Sequence, residues 1–171
     1  MRERKGFVLL ISFLILLSVT LLSCGGAHSA DEYYVLVAAN LQVPYWKTAG
    51  NGFMQEAKQW KVRAEFVGPQ NYDPQAEVEE FRTAVGKKPT GILGSPADPN
   101  LLKDDIDKAI AAGIPVLTID SDAPTSKRLF FIGTNNYQAG VIGGQRLAKE
   151  LNGKGNVVVF TMPLRPISVT T

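Results

Sequence analysis

One stretch constrains the fold of this chain more than any other: residues 112–124 read AGIPVLTIDSDAP. An apolar, largely β-branched run from Ile114 to Ile119 is followed at once by three polar residues, 120–122. Such a run, bounded by glycine and proline, is typical of a strand that is buried on both faces of a parallel sheet. Ligands of open α/β folds bind outside the carboxyl ends of the strands. The sequence therefore predicts a ligand-facing polar edge after Ile119.

The remaining chain alternates short apolar runs with amphipathic helical patterns. The predicted strands are 34–39, 62–67, 90–95, 114–119, 129–132 and 156–161, and the predicted helices are 44–60, 73–85, 101–112 and 137–151. We expect Asp73 to cap the second helix with Pro74 at its first position, and Asn100 to cap the third. This order predicts an α/β fold with a doubly wound parallel sheet.

The first residues have the pattern of a targeting signal. The basic residues Arg2, Arg4 and Lys5 precede the apolar run Phe7–Leu22, which is shorter than the roughly 20 residues of a membrane span. The single cysteine, Cys24, ends the motif LLSC, which resembles the bacterial lipobox. That resemblance implies a signal peptide over 1–23, lipidation of Cys24, a flexible tether over 24–32 and a membrane anchor. Ordinary cleavage nearby, after Ser29 or Ala30, is the alternative.

The ends of the predicted strands carry aromatic rings, carboxylates, hydroxyls and amides. The candidate binding residues are Gln42, Tyr45, Trp46, Ser95, Asp120 and Ser121. Sugars suit such a lining, because their C–H faces stack on aromatic rings and their hydroxyls need both donors and acceptors. Two alternatives stay open: Trp46, and less so Tyr45, could pack the first turn of their helix against the sheet, and Asp120 could bond its own backbone in a turn. Asp122 is expected to shape the turn rather than to touch a ligand.

Several other functions find little support in the sequence. No glycine-rich phosphate loop follows the first strand, and the only histidine, His28, lies in the tether. We therefore expect no catalytic triad, metal site or cofactor in the folded part, and an enzyme is the least favoured class. The net charge of +2 rests largely on the basic start of the chain. The nearly neutral remainder argues against a nucleic-acid partner.

Four motifs, NLQVPYW, GILGSPAD, AGIPVLTIDSDAP and FIGTNNYQAGVIGG, occur in that order. Together they resemble the type I periplasmic sugar-binding proteins of the ribose-binding kind, the solute-binding subunits of bacterial ABC sugar importers. The resemblance runs from about Tyr33 to Thr161 and implies two α/β lobes joined by a hinge, with the sugar held between them. It also implies a sugar ligand, an ABC permease as partner, and a location in the periplasm or cell envelope.

The resemblance further assigns roles to individual residues. Tyr45 and Trp46 match the aromatic pair that sandwiches the sugar ring, Asp120 matches the aspartate that accepts from sugar hydroxyls, and Ser95 lies at the polar third-strand position. Two departures argue against ribose: Val43 replaces an asparagine, and Ser121 replaces an arginine beside the aspartate. Either Gln42 or Asn40 is a candidate to compensate.

The resemblance implies an N-terminal lobe over 33–135, followed over 136–171 by a crossover helix and the first strand of an incomplete second lobe. The closing sequence MPLRPISVTT departs from the family pattern. We therefore expect a truncated or fragmentary sugar-binding protein that binds weakly or not at all. A lobe presented to a membrane receptor for sensing, or a non-functional fragment, is the alternative. The apolar residues 157–160 are expected to be exposed for want of a sheet.

Overall fold

The computed structural model describes residues 28–159 of the 171-residue chain. The chain divides into two compact units after Gly133. The described part of the first unit is 28–133, and that of the second is 134–159.

The first unit contains a five-stranded sheet in which all strands are parallel, with the order β2-β1-β3-β4-β5. The strands are β1 (Tyr33–Val37), β2 (Arg63–Val67), β3 (Gly91–Gly94), β4 (Val116–Ile119) and β5 (Phe131–Ile132). The helices are α1 (Pro44–Trp60), α2 (Pro74–Gly86) and α3 (Pro99–Ala111). The prediction of an α/β fold with a parallel sheet is confirmed.

The core of this unit lies between the sheet and helices α2 and α3. Its fully buried members include Val35 and Val37 from β1 and Phe81 from α2. Strands β1, β3 and β4 all contribute apolar residues to this core, as expected for a parallel sheet, and Thr118 of β4 is a fully buried polar residue. A Cβ added at Gly94 would meet the Phe81 ring at 3.7 Å, so β3 lies close under that ring.

The helix starts follow from short-range hydrogen bonds. The Asp73 side chain accepts from the backbone N–H groups of Gln75 and Ala76, with proline at the first helical position, as predicted. The predicted cap of α3, Asn100, is wrong. The side chain of Asp98 accepts from the N–H groups of Asn100 and Leu101, because Pro99 takes the first helical position and Asn100 the second.

The second unit contains helix α4 (Asn136–Glu150), whose first turn is capped by the Asn135 side chain at the N–H of Gln138. The strand predicted over 156–161 is not formed at residues 156–159, since these residues pair with no other strand of the described chain. Val158 and Val159 are 75% and 79% exposed. The exposure expected of residues 157–160 is confirmed for the three valines, and Phe160 lies outside the described residues.

No helix within residues 28–159 is long and apolar enough to cross a membrane. The predicted signal peptide, with Cys24, lies outside the described residues.

Candidate functional site

The carboxyl ends of β1, β3 and β4 lie side by side, because these strands are neighbours in one parallel sheet. Three loops follow them: residues 38–43 after β1, 95–98 after β3 and 120–124 after β4. We call these three loops, together with the first turn of α1, the site edge. All six predicted binding residues belong to it.

The centre of the site edge is a contact between Tyr45 and Asp120. The Tyr45 hydroxyl donates to Asp120 Oδ1 at 3.0 Å, across 75 positions of sequence. Partial burial raises the pKa of the Tyr45 phenol above its ordinary value, and the hydrogen bond to the Asp120 carboxylate is the second cause of this increase. Tyr45 is 55% exposed, so its ring face remains open to solvent. An exposed ring and a carboxylate are thus held next to each other.

The backbone at Asp120 explains how its carboxylate is presented. Asp120 has a φ of +61°, in the left-handed region that aspartate tolerates better than most residues. Its N–H donates to the carbonyl of Ile132 at 3.0 Å, which keeps it paired with the next strand. In the described part of the chain its side chain accepts from Tyr45, and no bond to its own backbone forms. The turn alternative for the Asp120 side chain is therefore not observed.

Trp46 differs from its neighbour in the sequence. It is only 5% exposed, and its ring meets that of Tyr45 edge to face, with centroids 5.1 Å apart. Trp46 is therefore buried, which agrees with the alternative of a packing role, and its ring lies edge to face with that of Tyr45. Of the predicted aromatic pair, only Tyr45 presents an open face.

The first loop is organised by Asn40. Its side-chain oxygen accepts from the N–H groups of Gln42 at 2.7 Å and Val43 at 3.2 Å. That amide oxygen is therefore engaged by its own loop. Gln42 is exposed, donates to the Gln70 side chain at 2.7 Å and lies 3.5 Å from the Lys47 ammonium. Gln42 is thus the amide of this loop that faces solvent.

Asp122 stabilises the third loop. Its carboxylate forms a bidentate pair with Arg128, whose Nη2 lies 2.7 Å from Oδ2, and it accepts from the Thr118 hydroxyl at 2.6 Å. The Arg128 guanidinium holds the pKa of this carboxyl below its usual range. The prediction that Asp122 shapes the turn is confirmed. Ser121, between the two aspartates, is half-buried, and its N–H donates to Ile119.

The middle loop contains a predicted residue that does not reach the surface and a partner that sequence reasoning missed. Ser95 is fully buried, and its hydroxyl has no hydrogen-bond partner among the described residues. Glu77 of α2 is 1% exposed and accepts from the N–H of Ala97 at 2.8 Å. Its signal in the sequence is a carboxylate on the same helical face as Phe81 and Ala84, which belongs to the core.

The site edge therefore offers an exposed ring, a carboxylate and an exposed amide, supported by buried polar groups. Asp120 Oδ2 has no partner within residues 28–159 and is open to a donor. In the same part of the chain no group of three acidic, histidine or cysteine side chains could hold a metal ion. The arrangement is suited to hydrogen bonding and stacking on a small polyhydroxylated molecule.

Comparison with known proteins gives consistent matches. The family described as "Periplasmic binding protein domain" matches residues 34–165. The chain is similar to the ribose import binding protein RbsB of Bacillus subtilis, at 26% identity over 120 residues, covering 70% of this chain and 39% of that protein. It is also similar to a D-apiose import binding protein of Paraburkholderia graminis, at 27% identity over 148 residues, covering 82% and 45%.

Solved structures agree with these matches. A sugar-binding protein of a sugar ABC transporter from Bacillus halodurans has a TM-score of 0.69 at 38% identity, covering 73% of this chain and 43% of that one. The arabinose-binding protein AraP of Geobacillus stearothermophilus has a TM-score of 0.67 at 39% identity, with the same shares. The structure titled "XylFII-LytSN complex" has a TM-score of 0.67 at 31% identity, covering 72% and 45%.

The chain spans less than half the length of each of these relatives. The family match nevertheless covers most of the chain, and it coincides with the described sheet and helices. The parallel sheet and the order of the motifs agree with it. The chain therefore belongs to the periplasmic binding protein domain family.

Proposed function

We propose that this chain is the N-terminal lobe of a sugar-binding protein that serves ABC-type import, and that it supplies one half of a sugar site. The observation that carries this proposal is the contact between Tyr45 and Asp120, which places an open aromatic face beside a carboxylate. The printed names of the relatives, which import ribose or apiose or bind arabinose, support a sugar as the ligand.

In this proposal Tyr45 stacks on the sugar, and Asp120 accepts from its hydroxyls through Oδ2. Gln42 and Ser121 lie at the rim and supply further polar contacts. Trp46 holds the ring of Tyr45 in place. Ser95 is fully buried, so it supports the start of its loop and does not face the sugar directly. The protein is a binding protein rather than an enzyme.

The proposal extends to organisation and location. Residues 33–135 form the sugar-binding lobe, 136–171 begin a second lobe, and a permease is the partner of the closed two-lobed form. The protein acts in the periplasm or cell envelope. Residues 1–23 direct its export, and lipidation at Cys24 anchors it to the membrane.

Binding by this chain alone should be weak. One lobe leaves the second face of the sugar in water, where its hydrogen bonds contribute little net free energy. We expect a dissociation constant of about 1 mM or weaker, equivalent to about −4 kcal/mol.

NMR titration tests this proposal. D-ribose, D-apiose and D-arabinose are added in turn to the ¹⁵N-labelled chain, and the amide shifts are followed. At least one sugar should shift the amides of Tyr45, Gln42 and Asp120. Asp120→Asn should abolish these shifts, and Asp104→Asn, an exposed change on α3, should not. No shifts with any of the three sugars at concentrations well above about 1 mM, or shifts that survive Asp120→Asn, would reject the site.

A second function is favoured by one comparison. The structure titled "XylFII-LytSN complex" resembles this chain, and its title names a complex with another protein. A sensory or interaction lobe presented to a membrane receptor would capture a membrane protein in a pull-down and retain it when permease genes are deleted. Loss of the captured protein on permease deletion would instead favour import.

A further inference from the structure

The loop after β3, residues 95–98, is held by one side chain from the loop that precedes α2 and by one from α2 itself. Glu77 Oε2 accepts from the N–H of Ala97 at 2.8 Å. On the same residue, the Tyr72 hydroxyl donates to the Ala97 carbonyl at 2.7 Å. The next residue, Asp98, caps α3. Both backbone polar groups of Ala97 are therefore engaged by side chains, and the loop is joined directly to a helix.

The contacts at Ala97 matter for the site because residues 95–98 form the middle loop of the site edge. Strand β3 lies between β1 and β4, so residues 95–98 lie between the loop that leads to Tyr45 and the loop that carries Asp120. The polar side chain at the start of this loop, Ser95, is fully buried. The middle of the site edge is therefore shaped by the path of the backbone more than by the Ser95 side chain.

Burying the Glu77 carboxyl group away from water costs free energy, which argues for a specific role of this residue. Its side chain is 1% exposed on a helix face otherwise occupied by Val78, Phe81 and Ala84. Its second oxygen, Oε1, has no hydrogen-bond partner in the described part of the chain. A buried carboxyl group with an unsatisfied oxygen destabilises a fold relative to an apolar residue of similar size. The bond to Ala97 is the compensating interaction that the structure shows.

We propose that Glu77 is a positioning residue that, together with Tyr72, sets the backbone path of residues 95–98 and thereby the middle wall of the site edge. The statement that this wall faces a sugar rests on the proposed function. The contact itself is independent of any ligand.

The charge state of Glu77 makes this contact sensitive to pH. Burial raises the pKa of Glu77 to about 7, against the smaller lowering by the Ala97 N–H. Among the described residues no charged side chain of α2, α3 or the sheet contributes to this pKa. An ionised carboxylate accepts from an N–H more strongly than the neutral acid does. The Ala97 contact is therefore tighter above the pKa of Glu77 than below it.

The test is an NMR pH titration of the chain without sugar. The Ala97 amide proton and the Glu77 carboxyl carbon are followed over roughly two pH units on either side of about 7. Both should titrate with one shared midpoint. Glu77→Gln should abolish the Ala97 titration, and the matched change Glu80→Gln on the same helix should leave it intact. Tyr72→Phe should speed hydrogen exchange at residues 97–98 and keep the titration.

An Ala97 amide that does not titrate, or that titrates unchanged in Glu77→Gln, would overturn the proposal. If Glu77→Gln does not fold, the pH titration of the unmodified chain still tests the proposal. Different pH midpoints for the Ala97 amide proton and the Glu77 carboxyl carbon would refute the contact. Because no sugar is present, failure of this experiment is distinct from failure of the sugar titration.

Discussion

Replacement of Asp122 by alanine is the sharpest test of how the third loop is held. The Asp122 carboxylate accepts from two Arg128 nitrogens and from the Thr118 hydroxyl, and Thr118 is fully buried. Removing one partner of a fully buried ion pair costs about 3–5 kcal/mol. Here the Asp122 and Arg128 side chains are 22% and 19% exposed, so solvent screens part of the interaction. We expect Asp122→Ala to lower the free energy of unfolding by about 2–3 kcal/mol at pH 7.

Part of that loss should be recoverable. In Asp122→Ala the buried Thr118 hydroxyl loses its acceptor, and an unsatisfied buried polar group costs about 1–3 kcal/mol. Adding Thr118→Val removes that hydroxyl and should restore about 1 kcal/mol. Urea unfolding followed by tryptophan fluorescence measures both values. Thr118→Val alone in the unmodified chain is the control, and it should be destabilising because it removes a satisfied hydrogen bond.

The dependence on pH gives the result that would refute this account. The folded pKa of Asp122 is lowered, chiefly by Arg128. A lowered folded pKa contributes stability that is complete above the unfolded value of about 3.9 and is lost as pH falls through the folded value. The difference in stability between the unmodified chain and Asp122→Ala should therefore shrink in acid. A difference below about 0.5 kcal/mol at pH 7, or one that stays constant into acid, would show that the pair does not stabilise the loop.

Three further changes test the fold that carries the site. Phe81→Ala removes a fully buried ring from the core and should cost about 3–5 kcal/mol in urea unfolding, whereas Phe81→Leu should cost clearly less. Gly68→Ala should lower the melting temperature, because Gly68 has a φ of +154° and an added Cβ would collide with the Ala38 carbonyl oxygen; an unchanged melting temperature would contradict this backbone geometry. Asp98→Ala should cost about 1 kcal/mol through loss of the α3 cap, and Asp98→Asn should recover most of it; equal losses in both variants would exclude capping.

The sequence predicted those elements whose signals are local. Helix α1 begins at Pro44 and ends at Trp60, as its pattern indicated, because proline suits a first helical position. The polar switch after Ile119 falls at the end of β4, where the apolar run stops. The error at Asn100 was one of register, since the two polar residues on either side of Pro99, Asp98 and Asn100, were both candidates for the cap.

Features that depend on distant residues could not be predicted in the same way. The apolar run at 156–161 could not reveal whether a partner strand exists, and a strand forms only with one. The helical pattern left open whether Trp46 packs or binds, and only the folded structure shows that Trp46 is buried while Tyr45 stays exposed. The spacing of Glu77 places a carboxylate on the buried face of α2, but it does not reveal the partner of that carboxylate. Its importance depends on Ala97, which comes 20 positions later.

The position of β1 in the sheet also determines when the fold can be completed. This strand pairs on one side with residues 63–67 and on the other with residues 91–94. The N–H of Thr90 donates to the carbonyl of Tyr33, so the second partner is anchored 57 positions along the chain. A chain that emerges from its amino end must therefore leave β1 half-paired until β3 arrives. Contacts of such long sequence separation slow folding, so the first unit should fold late, after β1, β2 and β3 have all emerged.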